Sequence, residues 1–171
     1  MTAIPLTRET LESVVVRFAG DSGDGMQLTG TQFAWTTARA GNELATFPDY
    51  PAEIRAPTGT LYGVSAYQIQ FGVGPVRTAG DVPDVLVALN PAALRVNLER
   101  LPPGGLIIAD SGSFTDKNLR RAGYAANPLA DGSLDGYRLL TLDVSRQVLE
   151  VARPLGLGQK EALRCKNLWV L

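Results

Sequence analysis

The residues best placed to do chemistry lie in one run, Gly20-Asp21-Ser22-Gly23-Asp24-Gly25. Three glycines so close together let a backbone turn tightly and aim several N–H groups at one point, and a helix starting near Met26 adds the positive end of its dipole. Such a loop suits a phosphate or a carboxylate. Its spacing fits neither of two well-known glycine motifs. The dinucleotide fingerprint G-x-G-x-x-G would need glycine at 28, where Leu28 stands, and the phosphate loop of ATPases would need Lys and Ser or Thr where Met26 and Gln27 stand. Asp21 and Asp24 repel a bound anion unless they turn outward. A tight turn that only packs a helix onto a sheet is the other reading.

A second stretch, Pro48-Asp49-Tyr50-Pro51-Ala52-Glu53-Ile54-Arg55-Ala56-Pro57-Thr58-Gly59, is stiff with prolines yet carries polar and aromatic side chains that a mere linker does not need. Arg55 offers a permanently charged planar fork for a phosphate or a carboxylate; local bracing by Glu53 and Arg55 is the plainer alternative. Asn90, before Pro91, and Asp110-Ser111-Gly112-Ser113 complete the polar loops that follow apolar runs. Other chemistry is excluded by composition. The chain has no histidine and one cysteine, Cys165, so zinc sites, iron–sulfur clusters and Ser-His-Asp or Cys-His nucleophiles cannot be assembled in the usual ways. No catalytic and no metal-ligating residue is expected.

These loops need a sheet to position them. At 171 residues, 45% hydrophobic and net charge −1, the chain reads as one domain with a balanced surface, unsuited to nucleic acid or an anionic membrane. With no membrane span or signal peptide in the sequence, a cytoplasmic location is expected. Strands are expected at Val14–Phe18, Leu44–Phe47, Leu61–Phe71, Asp84–Leu89, Leu106–Ala109 and Tyr137–Leu142. The alternation in Leu61–Phe71 allows that strand to be antiparallel. Helices are expected from Met26 to Ala40, packed through Met26, Phe33 and Trp35; from Pro91 to Leu101; from Asp143 to Pro154; and with helical spacing again from Glu161 to Leu171. Phe114–Gly136 shows no period and reads as a surface excursion. The fold class is α/β: three-layer, Rossmann-like, mainly parallel, with helices on both faces and the polar loops at one edge.

Four stretches in order, Arg17 to Met26, Tyr50 to Thr60, Leu89-Asn90-Pro91 and Lys166-Asn167-Leu168-Trp169, resemble the gamma domain of 2-oxoacid:ferredoxin oxidoreductases. Gly-Asp-Ser-Gly-Asp-Gly and Glu-Ile-Arg-Ala-Pro are similar to the N-terminal part of the fused alpha subunit of 2-oxoglutarate:ferredoxin oxidoreductase. There this domain precedes a thiamine-binding domain that residues 1–171 do not include. The resemblance implies a gamma-type domain in a complex that oxidatively decarboxylates a 2-oxoacid to an acyl-coenzyme A and passes electrons to ferredoxin. Thiamine diphosphate, magnesium and the iron–sulfur cluster would be held by the alpha and beta domains or subunits. This chain would pack against them and serve coenzyme A access, inactive alone. The expected cofactor-binding residues are Gly20, Asp21, Ser22, Gly23, Asp24, Gly25, Glu53, Arg55, Thr58 and Asn90. A stand-alone dinucleotide-binding oxidoreductase and a purely structural assembly domain are the alternatives.

Overall fold

The β-branched and aromatic run from Val14 to Phe18 lies in β1 (Ser13–Asp21), and α1 (Met26–Arg39) begins directly after Gly25. The computed structural model describes residues 10–50 and 63–171. Along the chain follow β2 (Glu43–Asp49), β3 (Val64–Gly72), β4 (Val85–Ala88), α2 (Pro91–Asn97), β5 (Leu106–Asp110) and α3 (Asp116–Arg121). The last elements are β6 (Arg138–Leu142), α4 (Val144–Ala152), α5 (Gln159–Leu163) and α6 (Lys166–Trp169). The strands form one sheet in the order β2-β3-β1-β4-β5-β6. Neighbours β1, β4, β5 and β6 are parallel, whereas β3 opposes both β1 and β2. Hence β2 points the same way as β1, and every strand except β3 ends at one edge.

Alternation along the strands divides the core. Val16 and Phe18 of β1, Tyr67 and Ile69 of β3 and Val87 of β4 face α1. Ala19, Ala66, Leu86, Ala88, Ile107 and Ala109 face α2 and α3. On the first face Phe33 stands edge-on between Phe18 and Phe71, at centroid distances of 5.2 and 5.5 Å. Gly30 lets α1 lie close to the sheet, because a Cβ there would overlap the Tyr67 ring. Trp35 corrects the expected packing face: it is 68% exposed, and Leu28 is exposed too. The side of α1 that is buried follows Met26, Thr29, Gly30, Ala34 and Thr37 instead. Small and hydroxyl side chains allow the close approach that Trp35 would prevent.

The stretch from Phe114 to Gly136 is not a mere surface excursion. Phe114, Leu119, Ala122 and Leu134 are buried in the α2–α3 core, and Thr115 caps α3. Its apolar residues are too widely spaced for a period because turns separate them. The C-terminal helical spacing resolves into two short helices, α5 and α6, rather than one. Of the two, α5 adds Ala162 to a small apolar cluster with Val144, Val148 and Ala152 of α4.

One charge is buried at the centre of the sheet. Arg17 of β1 is 3% exposed; its Nε donates to Asn97 Oδ1 at 2.6 Å, one Nη donates to Gln68 Oε1 at 3.3 Å, and the other pairs with the Asp49 carboxylate. The guanidinium thereby ties α2, β3 and the end of β2 together. Replacing Gly30 by Ala tests the close approach of α1: the added methyl must push Tyr67 or the helix away, at a cost of about 1–3 kcal/mol. Urea titration of Gly30→Ala is expected to show that loss, and an unchanged midpoint would refute the contact.

Candidate functional site

The glycine loop joins β1 to α1 at the shared strand-end edge. Asp24 N–H donates to Asp21 O at 2.9 Å, and Asp21 N–H donates to Asp24 Oδ2 at 2.9 Å, closing the turn from both sides. Asn90 then bridges the two carboxylates. Its Nδ2 donates to Asp21 Oδ1 at 2.8 Å and to Asp24 Oδ2 at 3.4 Å, while its Oδ1 accepts from Ala93 N at 2.8 Å and caps α2. Both aspartates are thus directed to Asn90 and the loop backbone. Burial, and next the charge of Asp24, raise the Asp21 carboxyl above its ordinary value, against the Asn90 hydrogen bond and the charges of Arg121 and Lys166.

Of the loop glycines, Gly25 is the one with a left-handed backbone. Gly25 adopts φ 73°, and a Cβ there would overlap the Asn167 amide, whereas Gly23 lacks a positive φ and borders open space. The same Asn167 accepts a hydrogen bond from Thr29 Oγ1 through its backbone O at 2.9 Å. The C-terminal α6 is therefore packed on the glycine loop. At the start of α1 there is neither a side-chain cap nor an acidic residue in the first turn, so its first N–H groups are left for water or an anion.

Asp110, expected at an open polar loop, is instead turned inward with no exposed side-chain surface, and Lys166 Nζ lies 2.5 Å from its Oδ2. Asp110 Oδ1 accepts from Val144 N at 3.0 Å, and its Oδ2 accepts from Ser113 Oγ at 2.8 Å and Ser145 Oγ at 3.3 Å. Lys166 Nζ also donates to Ser113 Oγ at 2.7 Å. The Ser145 hydroxyl thus serves Asp110, and the start of α4 is capped by Asp143, which accepts from Arg146 N, together with Asp110, which accepts from Val144 N. Removing one partner of a buried ion pair typically costs about 3–5 kcal/mol, because the other charge stays buried.

Between the glycine loop and α5 lies a cleft of about 370 Å³, lined by Gly23, Asp24, Gly25, Lys160, Arg164 and Asn167 among others. Lys160 and Arg164 are exposed, and their side chains have no hydrogen-bond or ion-pair partner among the described residues. On the other side of Asp21, beside Asn90 and Arg121, there is only a notch of about 60 Å³. Gly20, Asp21, Ser22, Gly23, Asp24, Gly25 and Asn90 thus come together. Glu53, Arg55 and Thr58 lie outside the described residues. Sequence reading missed Lys160 and Arg164; their i, i+4 spacing was the available signal, at the start of a stretch marked as helical by its apolar residues alone.

Residues 15–171 match the family of pyruvate ferredoxin/flavodoxin oxidoreductases. The chain belongs to that family. Over 164 residues it is 52% identical to the 2-oxoglutarate oxidoreductase subunit KorA of Mycobacterium tuberculosis, covering 96% of this chain and 25% of that protein. Among solved structures, the 2-oxoglutarate:ferredoxin oxidoreductase from Magnetococcus marinus, with 2-oxoglutarate, coenzyme A and succinyl-CoA bound, superposes with a TM-score of 0.67 at 26% identity, over 92% of this chain and 23% of that one. A keto/oxoacid ferredoxin oxidoreductase gamma subunit from Geobacter sulfurreducens shares the fold at 18% identity and a TM-score of 0.57, covering 82% of this chain and 66% of that one. The chain thus spans about a quarter of the KorA relative. The family's α/β fold agrees with the mixed sheet described above. No helix among the described residues is long and apolar enough to cross a membrane.

The Asp21 environment predicts a pH dependence. A carboxyl whose pKa is raised on folding holds its proton more tightly in the folded than in the unfolded chain. Stability therefore falls as pH rises from the ordinary value of 3.8 through the raised one. Asp21→Asn keeps an acceptor for Asn90 and removes the charge, so it is expected to raise Tm at pH 7. That gain should vanish below about pH 3.8, where Asp21 is neutral in both states; a Tm difference independent of pH would contradict the assignment.

Proposed function

We propose that this chain acts as a gamma-type domain of a 2-oxoacid:ferredoxin oxidoreductase complex, with 2-oxoglutarate as its 2-oxoacid, and that it admits coenzyme A at the glycine loop. The carrying observation is the cleft itself: two cations with no ion-pair partner among the described residues, Lys160 and Arg164, face a glycine loop and an uncapped helix start. The likeness to KorA supports 2-oxoglutarate. The residues present fit the phosphates of coenzyme A, because Asp21 and Asp24, the groups that would repel them, are engaged by Asn90. When bound, coenzyme A supplies the thiol that accepts the acyl group. Lys160 and Arg164 hold its phosphates, Gly23 leaves room for close approach, and Asn90 keeps the loop aspartates from opposing them. Arg55, Glu53 and Thr58 remain candidates by position, since they follow β2, which ends at the same edge.

Under this reading, thiamine diphosphate, magnesium and the iron–sulfur cluster are held by alpha and beta domains or subunits, and ferredoxin is the acceptor of the cytoplasmic complex. Exposed apolar side chains supply surface for that packing: Leu139, Leu140 and Leu142 on the edge strand β6, Trp35 on α1, and Leu155 beyond α4. The chain by itself is expected to show no 2-oxoglutarate-dependent reduction of a viologen dye and to contribute to turnover only with its partners. A charge-assisted contact is worth roughly 1.5–3 kcal/mol, about tenfold to more than a hundredfold in affinity. Lys160→Glu combined with Arg164→Glu should therefore weaken coenzyme A binding at least tenfold by calorimetry, with Tm unchanged. Unaltered affinity, or preferential binding of NADH, would reject the assignment, as would dye reduction by the isolated chain.

A further inference from the structure

We propose that the buried Asp110–Lys166 pair is a positioning device that seats the α5–α6 segment on the glycine loop, and so sets Lys160 and Arg164 over the cleft. The second part of this inference rests on the coenzyme A reading above; the first does not. It begins from how little else holds the segment. The two helices have 5 and 4 residues, below the length at which helices persist without tertiary support. Gly156, at φ 70°, and Gly158 precede them. Ala162 is the one hydrophobic side chain of α5 and α6 that is buried, whereas Leu168 and Trp169 are 50% and 42% exposed.

Polar contacts supply what apolar burial does not. Lys166 reaches Asp110 and Ser113 at the end of β5. The next residue, Asn167, is 8% exposed, fills the space beside Gly25 and accepts from Thr29. Trp169 Nε1 donates to Gln147 Oε1 of α4 at 2.8 Å. Of these contacts, the ion pair is the one that the fold cannot leave half-made. Asp110 has no exposed side-chain surface, and Lys166 is the one cation paired with it among the described residues. Ordinary solvation cannot replace Lys166 at that carboxylate. Burial of Asp110 thus fixes Lys166, Lys166 fixes Asn167 against the loop, and the preceding turn of chain carries Arg164 and Lys160. Neither Asp110 nor Lys166 needs to touch the ligand.

The test separates position from stability. Lys166→Met leaves a buried carboxylate without its counter-charge and is expected to lower Tm. The double variant Asp110→Asn with Lys166→Met removes both charges while keeping an acceptor for α4, and is expected to recover most of that loss. Its α5–α6 amides should nonetheless exchange with deuterium at least tenfold faster than wild type, with Trp169 emission shifted in a Trp35→Phe background. Coenzyme A affinity should fall at least tenfold, and Lys166→Arg should retain near wild-type values in every measurement. Wild-type exchange in the double variant would overturn the seating. Faster exchange with unchanged coenzyme A affinity would overturn the link to the cations. A wild-type chain that binds no coenzyme A would reject the coenzyme A reading and that link, while the exchange data would still decide the seating.

Discussion

Strands that run the same way deliver their ends to one place, and in this sequence those ends carry carboxylates. Asp21 closes β1, Asp24 follows in its loop, Asp49 closes β2, Asp110 closes β5 and Asp143 follows β6. Left unanswered, this crowding would oppose both folding and any anionic ligand. Asp21 and Asp24 share one partner, and each of the other carboxylates has its own. The Asn90 amide spans Asp21 and Asp24, Arg17 holds Asp49, Lys166 holds Asp110, and the first turn of α4 takes Asp143. The two cations and the bridging amide come from distant parts of the chain, while Asp143 is held locally. Electrostatics at this edge consequently ties the C-terminal helices, α2 and the middle of β1 to the strand ends.

Much of this architecture is legible in the sequence because it rests on short-range rules. Continuous apolar runs mark β4 and β5, alternation marks β3 as the strand that can run the other way, and Asn90-Pro91 marks the start of α2. The direction shared by β1, β2, β4, β5 and β6 then places the glycine loop and Asn90 together. What local pattern does not show is which partner a polar residue finds. Asn90 reads as a helix cap, yet its Nδ2 is committed to two aspartates about seventy positions away in sequence. Asp110 and Ser113 read as an open polar loop, yet the lysine that closes it lies in a motif singled out only by resemblance. Trp35 fails for a related reason: apolar character does not say which side of a helix meets the sheet.

The same contacts separate this loop from a dinucleotide site. In that motif glycines clear space for the ligand's pyrophosphate, and an acidic residue after the second strand takes a ribose hydroxyl. Here the protein itself occupies the space next to two of the glycines. Asn167 fills the position that a side chain at Gly25 would need, and Asp24 Oδ2 and Met26 Sδ, each 3.0 Å away, crowd the one at Gly20. Only Gly23, with open space beside it, is left for close approach by a ligand. Asp49 stands where the ribose-binding acid would, but Arg17 already holds its carboxylate, and that guanidinium is itself buried between Asn97 and Gln68. Freeing Asp49 for a ribose would strand the buried cation, so the cost of that alternative falls on the core of the sheet rather than on the loop. An anion approaching from the α5 side meets Lys160 and Arg164, which have no competing partner among the described residues, and disturbs none of these contacts.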